Sequence, residues 1–505
     1  MDIVALDSDN NFTPGDLDVS GYFAAVKAYQ KIYVADGRPY SAVIGDSGYH
    51  KIDMTSTILI GSASGSFTVG ETLTQATSGA GGTFIETIGA GATAKHLVYR
   101  TDTKEFDTTH LVTGASSLKT VTPTGGVFAP PHWLNWVLAE GTFPDGGSNV
   151  MCLFEGRIWM NSMWNPNQWL ATRQGNPLDT DTLQNDVKTA ISSQTSLAGL
   201  VGDALIALIP FKDSYLLFGC AGSFWMLRGG STGGGNISNI SYETGIFSPD
   251  SSCWDNEGNL YVIGMDGFYK FPNGIATTGS PIENISLKHT PNLFNLLKLN
   301  RKTDRVAMGF DPQTNIIEVA ISIQDGSWSV AFSYDITNDS IIPDTFASGN
   351  IPTSFLYVNS PQGGISGLLV GCQDGYVKKF DKDTKQDDGE VIDSETLFGP
   401  ITISQLIKAN VKIKEIHIIL AEDADGLEWE LYQANSNELL VSGIKGGTLT
   451  PTYSGTFSAG GRQASIIEKI AGESIAILLK NSTIDTSWAV ESIKIKFTIA
   501  GKVRE

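Results

Sequence analysis

The stretches of this 505-residue chain that could carry chemistry are few, and each lacks a part its chemistry needs. Gly229-Gly-Ser-Thr-Gly-Gly-Gly235 is glycine-rich enough to bend around a phosphate. It has no Lys-Ser/Thr ending and no helical pattern after it, so a flexible loop is the expectation. Asp7-Ser-Asp-Asn-Asn11 opens like an oxygen-ligand calcium loop, and Asp18 falls where the closing acid would be. The sixth position, which needs Gly for the sharp turn, is Phe12. Asp381 and Asp383 repeat that opening with less behind it, and exposed acidic turns account for both.

Paired carboxylates could serve acid/base work, but Glu422/Asp423 and Asp387/Asp388 sit in polar turns. Ser248-Pro-Asp-Ser-Ser-Cys-Trp254 approaches the Ser-x-Asp-x-Gly-x-x-Trp box of sialidase-type blades, lacking its Gly and placing Trp one residue early. Arg is too sparse and scattered to hold a sugar carboxylate. The six histidines (His50, His96, His110, His132, His289, His417) show no metal spacing. His132 beside Trp133 is the best candidate base, with a packing or capping role as its plainer reading. Cys152, Cys220, Cys253 and Cys372 stand singly in apolar, strand-like contexts, so buried free thiols are expected. No catalytic, cofactor-binding or metal residue is assigned, and the chain reads as a non-enzyme without cofactor.

What would have to position any site is one repeated phrase: an apolar strand, a Gly-centred turn, and a second strand opening with an aromatic. It is clearest at Leu260–Phe271, Leu368–Phe380 and Leu216–Leu227, looser at Ile32–Gly45 and Ile158–Ala171, and varied at Val306–Ser322 with an Asp-Pro-Gln-Thr-Asn turn. Gly in such turns supplies the positive φ that tight hairpins need. Six anchors, near 32, 158, 216, 260, 306 and 368, predict the blades of a β-propeller. Short helices are expected only around Gly21–Gln30, Leu197–Leu208 and Asn292–Leu299. An apolar fraction of 41%, a charged fraction of 17% and 55 Gly fit an all-β protein rich in turns.

Between about 52 and 125 the texture turns to Gly, Ala, Ser and Thr, and a phrase is duplicated. Phe67-Thr-Val-Gly-Glu-Thr-Leu-Thr-Gln-Ala-Thr-Ser78 lies over Phe106-Asp-Thr-Thr-His-Leu-Val-Thr-Gly-Ala-Ser-Ser117. The resulting division is first propeller strands over 1–51, an inserted small β domain over 52–125, the main propeller over 126–390 and a C-terminal β-sandwich-like module over 391–505. The polar run Asp381–Glu390 precedes the last boundary. Val490–Ile499 alternates with the period of a half-buried strand, as do Glu415–Leu420, Leu427–Gln433 and Ser474–Lys480. The fold class is therefore all-β: a six-bladed β-propeller carrying an inserted domain and a terminal sandwich.

Net charge is −20 with pI near 4.7. A chain built to grip phosphates is normally basic, so tight nucleic-acid binding is disfavoured, although an acidic wall lets DNA slide without sticking. The N-terminal residues show no signal peptide, and the best apolar run, Leu197–Phe211, is interrupted by Asp203 and too short to span a bilayer.

The wording of several segments resembles the tail nozzle proteins of short-tailed bacteriophages, also called tail hub or packaged-DNA stabilisation proteins. The segments are Gly202–Gly219 followed by Ser223–Gly229, then Arg173–Asp179, Tyr242–Pro249, Asn259–Tyr269 and Trp488–Lys502. The Gly-Glu-Thr-Leu-Thr insert also looks like small β modules of phage structural proteins. The resemblance covers roughly 130–390 and the extreme C-terminus, and the duplicated insert departs from the simplest members. It implies a virion structural protein of the tail, assembled in the host cytoplasm as a homohexameric ring beneath portal and adaptor proteins. Fibres or spikes would attach at its side, and genomic DNA would be retained in, then ejected through, its acidic channel without specific binding. The alternatives are a propeller glycosidase or depolymerase acting on host surface glycans, and a carbohydrate-binding protein using Trp159, Trp164 or Trp169.

Overall fold

The computed structural model describes residues 21–502, apart from short stretches at 43–46, 54–55, 101–103, 105, 125–131, 231–234, 275–280, 324–328, 348, 360–365, 382–383, 403–408, 422–423, 425, 458–462, 468–473 and 484–485. The chain is all-β, built from many antiparallel sheets, and divides into two compact units: residues 1–252 with 257–299, and 253–256 with 300–505.

In the first unit, β1 (Ala24–Ala28), β2 (Lys31–Ala35) and β3 (Tyr49–Asp53) form an up-and-down sheet completed by His132–Asn135. A second sheet runs Met151–Phe154, Arg157–Asn161, Trp169–Ala171 and Ile191–Ser192, and a third runs Leu205–Phe211, Tyr215–Cys220, Phe224–Arg228 and Asn236–Ser241. The fourth contains Leu260–Ile263, Phe268–Phe271 and Glu283–Asn284. Each of the six anchor phrases falls in a different sheet, the last two in the second unit. First strands of successive sheets lie against one another: Ala24–Ala28 against Met151–Phe154, and Met151–Phe154 against Leu205–Phe211. Between the second and third sheets, Trp159, Trp169, Phe218, Leu216 and Leu227 fill one core, whose burial supplies the main drive for stacking.

Two expected helices do not form. Gly21–Gln30 contains β1, because Tyr29 and Gln30 both take positive φ (50° and 63°) and close a two-residue hairpin into β2 without any Gly. Leu197–Leu208 runs into Leu205–Phe211, whose ladder with Tyr215–Cys220 overrides the helical pattern of its apolar residues. The third expectation holds as the helix Leu293–Leu297. Beyond these, Ile285–His289 and Asn437–Lys445 are helical; Asn284 caps the first on Leu287 N–H, and Ser436 caps the second on Leu439 N–H. The Asp36–Gly37 pair is not a tight hairpin turn, since β2 pairs with β3 across a longer loop.

The insert leaves the first sheet between β3 and His132–Asn135. It is one six-stranded sheet, ordered Ser56–Ile60, Lys95–Arg100, Ala80–Ile88, Thr72–Gln75, Val112–Gly114, Thr120–Val121. Both copies of the duplicated phrase feed a single core, with Phe67, Leu73, Phe106 and Val112 buried together.

In the second unit, Asp304–Asp311, Ile316–Ile323, Ser329–Asp335 and Ser340–Asp344 form a four-stranded sheet. Pro352–Val358, Gly367–Cys372 and Val377–Lys379 form a three-stranded one, and the first strands of these two sheets meet. Gly309 makes that approach possible: a Cβ there would stand 2.3 Å from Phe355 Cβ. The C-terminal residues build two further sheets over one core of Ile413, Ile416, Ile418, Leu431, Ile475 and Leu479, with Asn437–Lys445 packed through Leu440. All four runs read as alternating from sequence are strands there.

Candidate functional site

A cleft with a volume of about 530 Å³ lies within the second unit. Its floor is polar. Glu318 and Ser333 are direct cross-strand partners, and Asp344 stands diagonally across from Ser333 on the next strand. The Ser333 hydroxyl lies 2.8 Å from Glu318 Oε2 and also contacts an Asp344 carboxylate oxygen. One hydroxyl proton cannot serve two carboxylates at once, so the pair is best satisfied when one carboxyl is itself protonated. Burial pushes Glu318 up to about 7, with the negative charges of Asp344 and Asp311 adding to the rise against the Ser333 hydrogen bond. Burial also raises Asp344. Such a pair both donates and accepts hydrogen bonds near neutral pH.

The far wall is cross-linked. Lys378 Nζ lies 2.9 Å from Asp374 and 2.8 Å from Asp388, and also reaches Asn350 Oδ1. These acceptors hold Lys378 firmly protonated, its hydrogen bond with Asp388 contributing most. Asp387 accepts from Asn350 Nδ2 at 2.9 Å and from Ala347 N–H at 2.8 Å, which fixes the segment closing the cleft. Phe346, Phe380, Val370 and Ile392 supply an apolar side. Phe380 stands edge-on to Phe346, with ring centroids 6.3 Å apart.

The sequence-level candidates distribute otherwise. Asp387 and Asp388 do not act as a pair: they tie separate parts of the cleft rim. Asp7–Asp18, Glu422, Asp423, Asp383 and the centre of the Gly229–Gly235 run lie outside the described residues. Ser248 and Ser251 close their turn on each other, Ser248 N–H donating to Ser251 Oγ at 2.8 Å. His96 is buried between Thr87 and Gly61, and burial lowers its pKa. His110 lies 2.7 Å from Asp107, and His417 bonds Ser465. Among the described residues no group of three potential metal ligands is present. All four cysteines are free and buried, and burial raises their thiols. Trp159 and Trp169 are core, leaving Trp164 exposed over Gly146.

Sequence reasoning missed Glu318. Its signal is a lone acid in an otherwise apolar strand, Ile316-Ile-Glu-Val-Ala-Ile321, and only the register brings Ser333 and Asp344 to it.

A second built feature lies in the first unit. The buried guanidinium of Arg157 donates to four backbone carbonyls: Thr172 (2.9 Å), Lys188 (3.2 Å), Thr189 (2.6 Å) and Val187 (3.3 Å). Arg173 binds Gln184 and Asp186 alongside. The segment so held presents large apolar side chains to solvent, Leu183 at 86% and Val187 at 78% exposure; Leu197 (98%) and Leu200, further along the chain past Ile191–Ser192, are exposed as well. Ala198 and Val201, next to Leu197 and Leu200 in the chain, are anchored in the core.

No family model and no curated protein matches the chain. Among solved structures it is similar to the extracellular domain of a one-component system from B. thetaiotaomicron, at 10% identity and a TM-score of 0.33. That match covers 94% of this chain and 62% of the other, so the chain spans less than two thirds of that neighbour. Hsv2 of Kluyveromyces lactis matches at 9% identity and a TM-score of 0.26, over 64% of this chain and 97% of the other. A glycoside hydrolase matches at 11% identity and a TM-score of 0.21, over 69% and 96%. Similarity at this level assigns neither family nor activity.

Proposed function

We propose that this chain is a structural subunit that works by assembly, the ring-forming tail nozzle of a short-tailed phage, and that its six successive sheets are propeller blades. The contact between first strands of neighbouring sheets within each unit supports the blade reading, because inner strands meet that way around a propeller axis. The observation that carries the assembly reading is the Arg157-clamped segment. A buried cation spent on fixing a loop, with Leu183 and Val187 of that loop facing water, suits a preorganised surface awaiting a partner. An overall charge of −20 suits a conduit through which DNA passes without adhering. Electron microscopy of the purified chain, and of particles containing it, tests this. Rings with a DNA-sized hole are expected, and particles lacking any such ring overturn the reading.

A carbohydrate-directed propeller is the second reading, favoured by the amphipathic cleft at Glu318. Cleavage is the weaker form of it. Glycosidic carboxyls flank the bond they break, whereas Ser333 fills the space between Glu318 and Asp344 where a reacting carbon would sit. Release of reducing ends from host-surface polysaccharide, abolished in Glu318→Gln, would establish the enzyme instead.

A further inference from the structure

We propose that the cleft over Glu318, Ser333 and Asp344 is a binding subsite for one uncharged pyranose unit, held without cleavage. This rests on the carbohydrate reading and is independent of ring assembly. Three features of the cleft suit that ligand together. Its volume of about 530 Å³ admits a single sugar ring with its first hydration waters. One side is aromatic and aliphatic, with Phe380 partly exposed, and can cover the C–H face of a pyranose. The floor offers a donor and acceptors close together, the pattern that vicinal hydroxyls complete by donating to one group and accepting from the other.

The charges bordering the cleft favour a neutral ligand over an anionic one. Glu318 is faced by Asp344 on its own sheet and by Asp311 nearby. Across the cleft stand Lys378 and Lys379, together with Asp381, Asp387 and Asp388. Lys378 is already engaged by Asp374 and Asp388, so its charge is balanced before any ligand arrives. An anionic sugar would therefore meet an acidic floor with that cation neutralised.

In this arrangement Glu318 holds the proton that the sugar accepts, and Asp344 accepts from the neighbouring hydroxyl. Raising the pH removes that proton and leaves two carboxylates beside one hydroxyl, so affinity falls on the alkaline side.

The experiment is saturation-transfer NMR of the full chain with methyl α-D-glucopyranoside, methyl β-D-galactopyranoside and methyl α-D-mannopyranoside, at pH 6 and pH 8.5. Transfer from at least one is expected at pH 6, weakened about thirtyfold at pH 8.5. Phe380→Ala and Asp344→Ala should lose it, and both remain folded by circular dichroism if the cleft is a binding site rather than a structural element. Glu318→Gln keeps a donor at every pH and should bind with the pH dependence gone. No transfer from any of the three glycosides to the folded wild-type chain overturns the proposal. Transfer unchanged in Phe380→Ala and Asp344→Ala does the same. Binding without turnover in reducing-end assays keeps the subsite and removes the enzyme, so the two readings fail separately.

Discussion

Thr74 and Thr113 face one another across an antiparallel pair of the inserted sheet, and they are the same position of the two duplicated phrases. The duplication is thus expressed as a local two-fold relation between the hairpins that begin at Thr72 and Val112, within one continuous sheet. Two buried polar side chains latch the copies together. Glu71 accepts from Thr68 N–H, Ser116 N–H, Ser117 N–H and the Ser117 hydroxyl, and Gln75 spans to Asp107 and His110.

Burial works to raise the Glu71 pKa, but those hydrogen bonds outweigh it and bring it down to about 2. Because the folded value lies below the unfolded one, the latch contributes fully above about pH 4.5 and is lost as the pH falls toward 2. Glu71→Ala strands three N–H donors and should cost about 1–3 kcal/mol. Hydrogen exchange at Val112–Val121 checks this; protection unchanged at pH 7 in the variant would contradict the latch.

Arg157→Ala removes the donor to four carbonyls at once. Loss of about 2–4 kcal/mol in denaturant melts is expected. The second outcome is mechanical: assembly should fail even in Arg157→Lys, whose single ammonium cannot reproduce the planar fork. Leu183→Asp with Val187→Asp should block assembly while leaving the melt of the subunit within about 0.5 kcal/mol. Sedimentation velocity separates the two effects.

The carboxyl pair predicts a slope of opposite sign to Glu71. Glu318 is raised in the folded state, so its contribution is most favourable at low pH and declines between about 4.5 and about 7. Glu318→Gln should flatten that slope. Above pH 7.5 it should stabilise the chain by roughly 1–2 kcal/mol, its partial exposure taken into account. Thermal melts across pH 5–8.5 report it.

Gly309 has ordinary φ, so its requirement is space alone. Gly309→Ala drives a methyl into Phe355 and should destabilise by about 1–3 kcal/mol. Phe355→Ala in the same chain should recover part of the loss, which a double-mutant cycle in urea quantifies.

The all-β class was readable from Gly-turn phrases, since the hairpins at Tyr215–Arg228 and Leu260–Phe271 are local and their turns announce themselves. The hairpin at Tyr29-Gln30 was not, because neither residue advertises positive φ. The helix Asn437–Lys445 was missed although Ser436 and Glu438 mark its start. The cleft was hidden for a different reason. Glu318, Ser333 and Asp344 occupy three strands, and no pattern within any one strand reveals their register. The Arg157 clamp is equally non-local, reaching thirty residues along the chain to Val187.

The insert departs from Asp53 and the chain returns at His132, and these two residues are cross-strand partners. Adjacent partners of an antiparallel pair lie only about 5 Å apart, so the sheet they belong to closes whether or not anything hangs between them. The position is a socket. A short turn in place of the insert, or an unrelated module with neighbouring ends, can occupy it without redrawing the sheet, and appendages can be exchanged there while the scaffold stays constant.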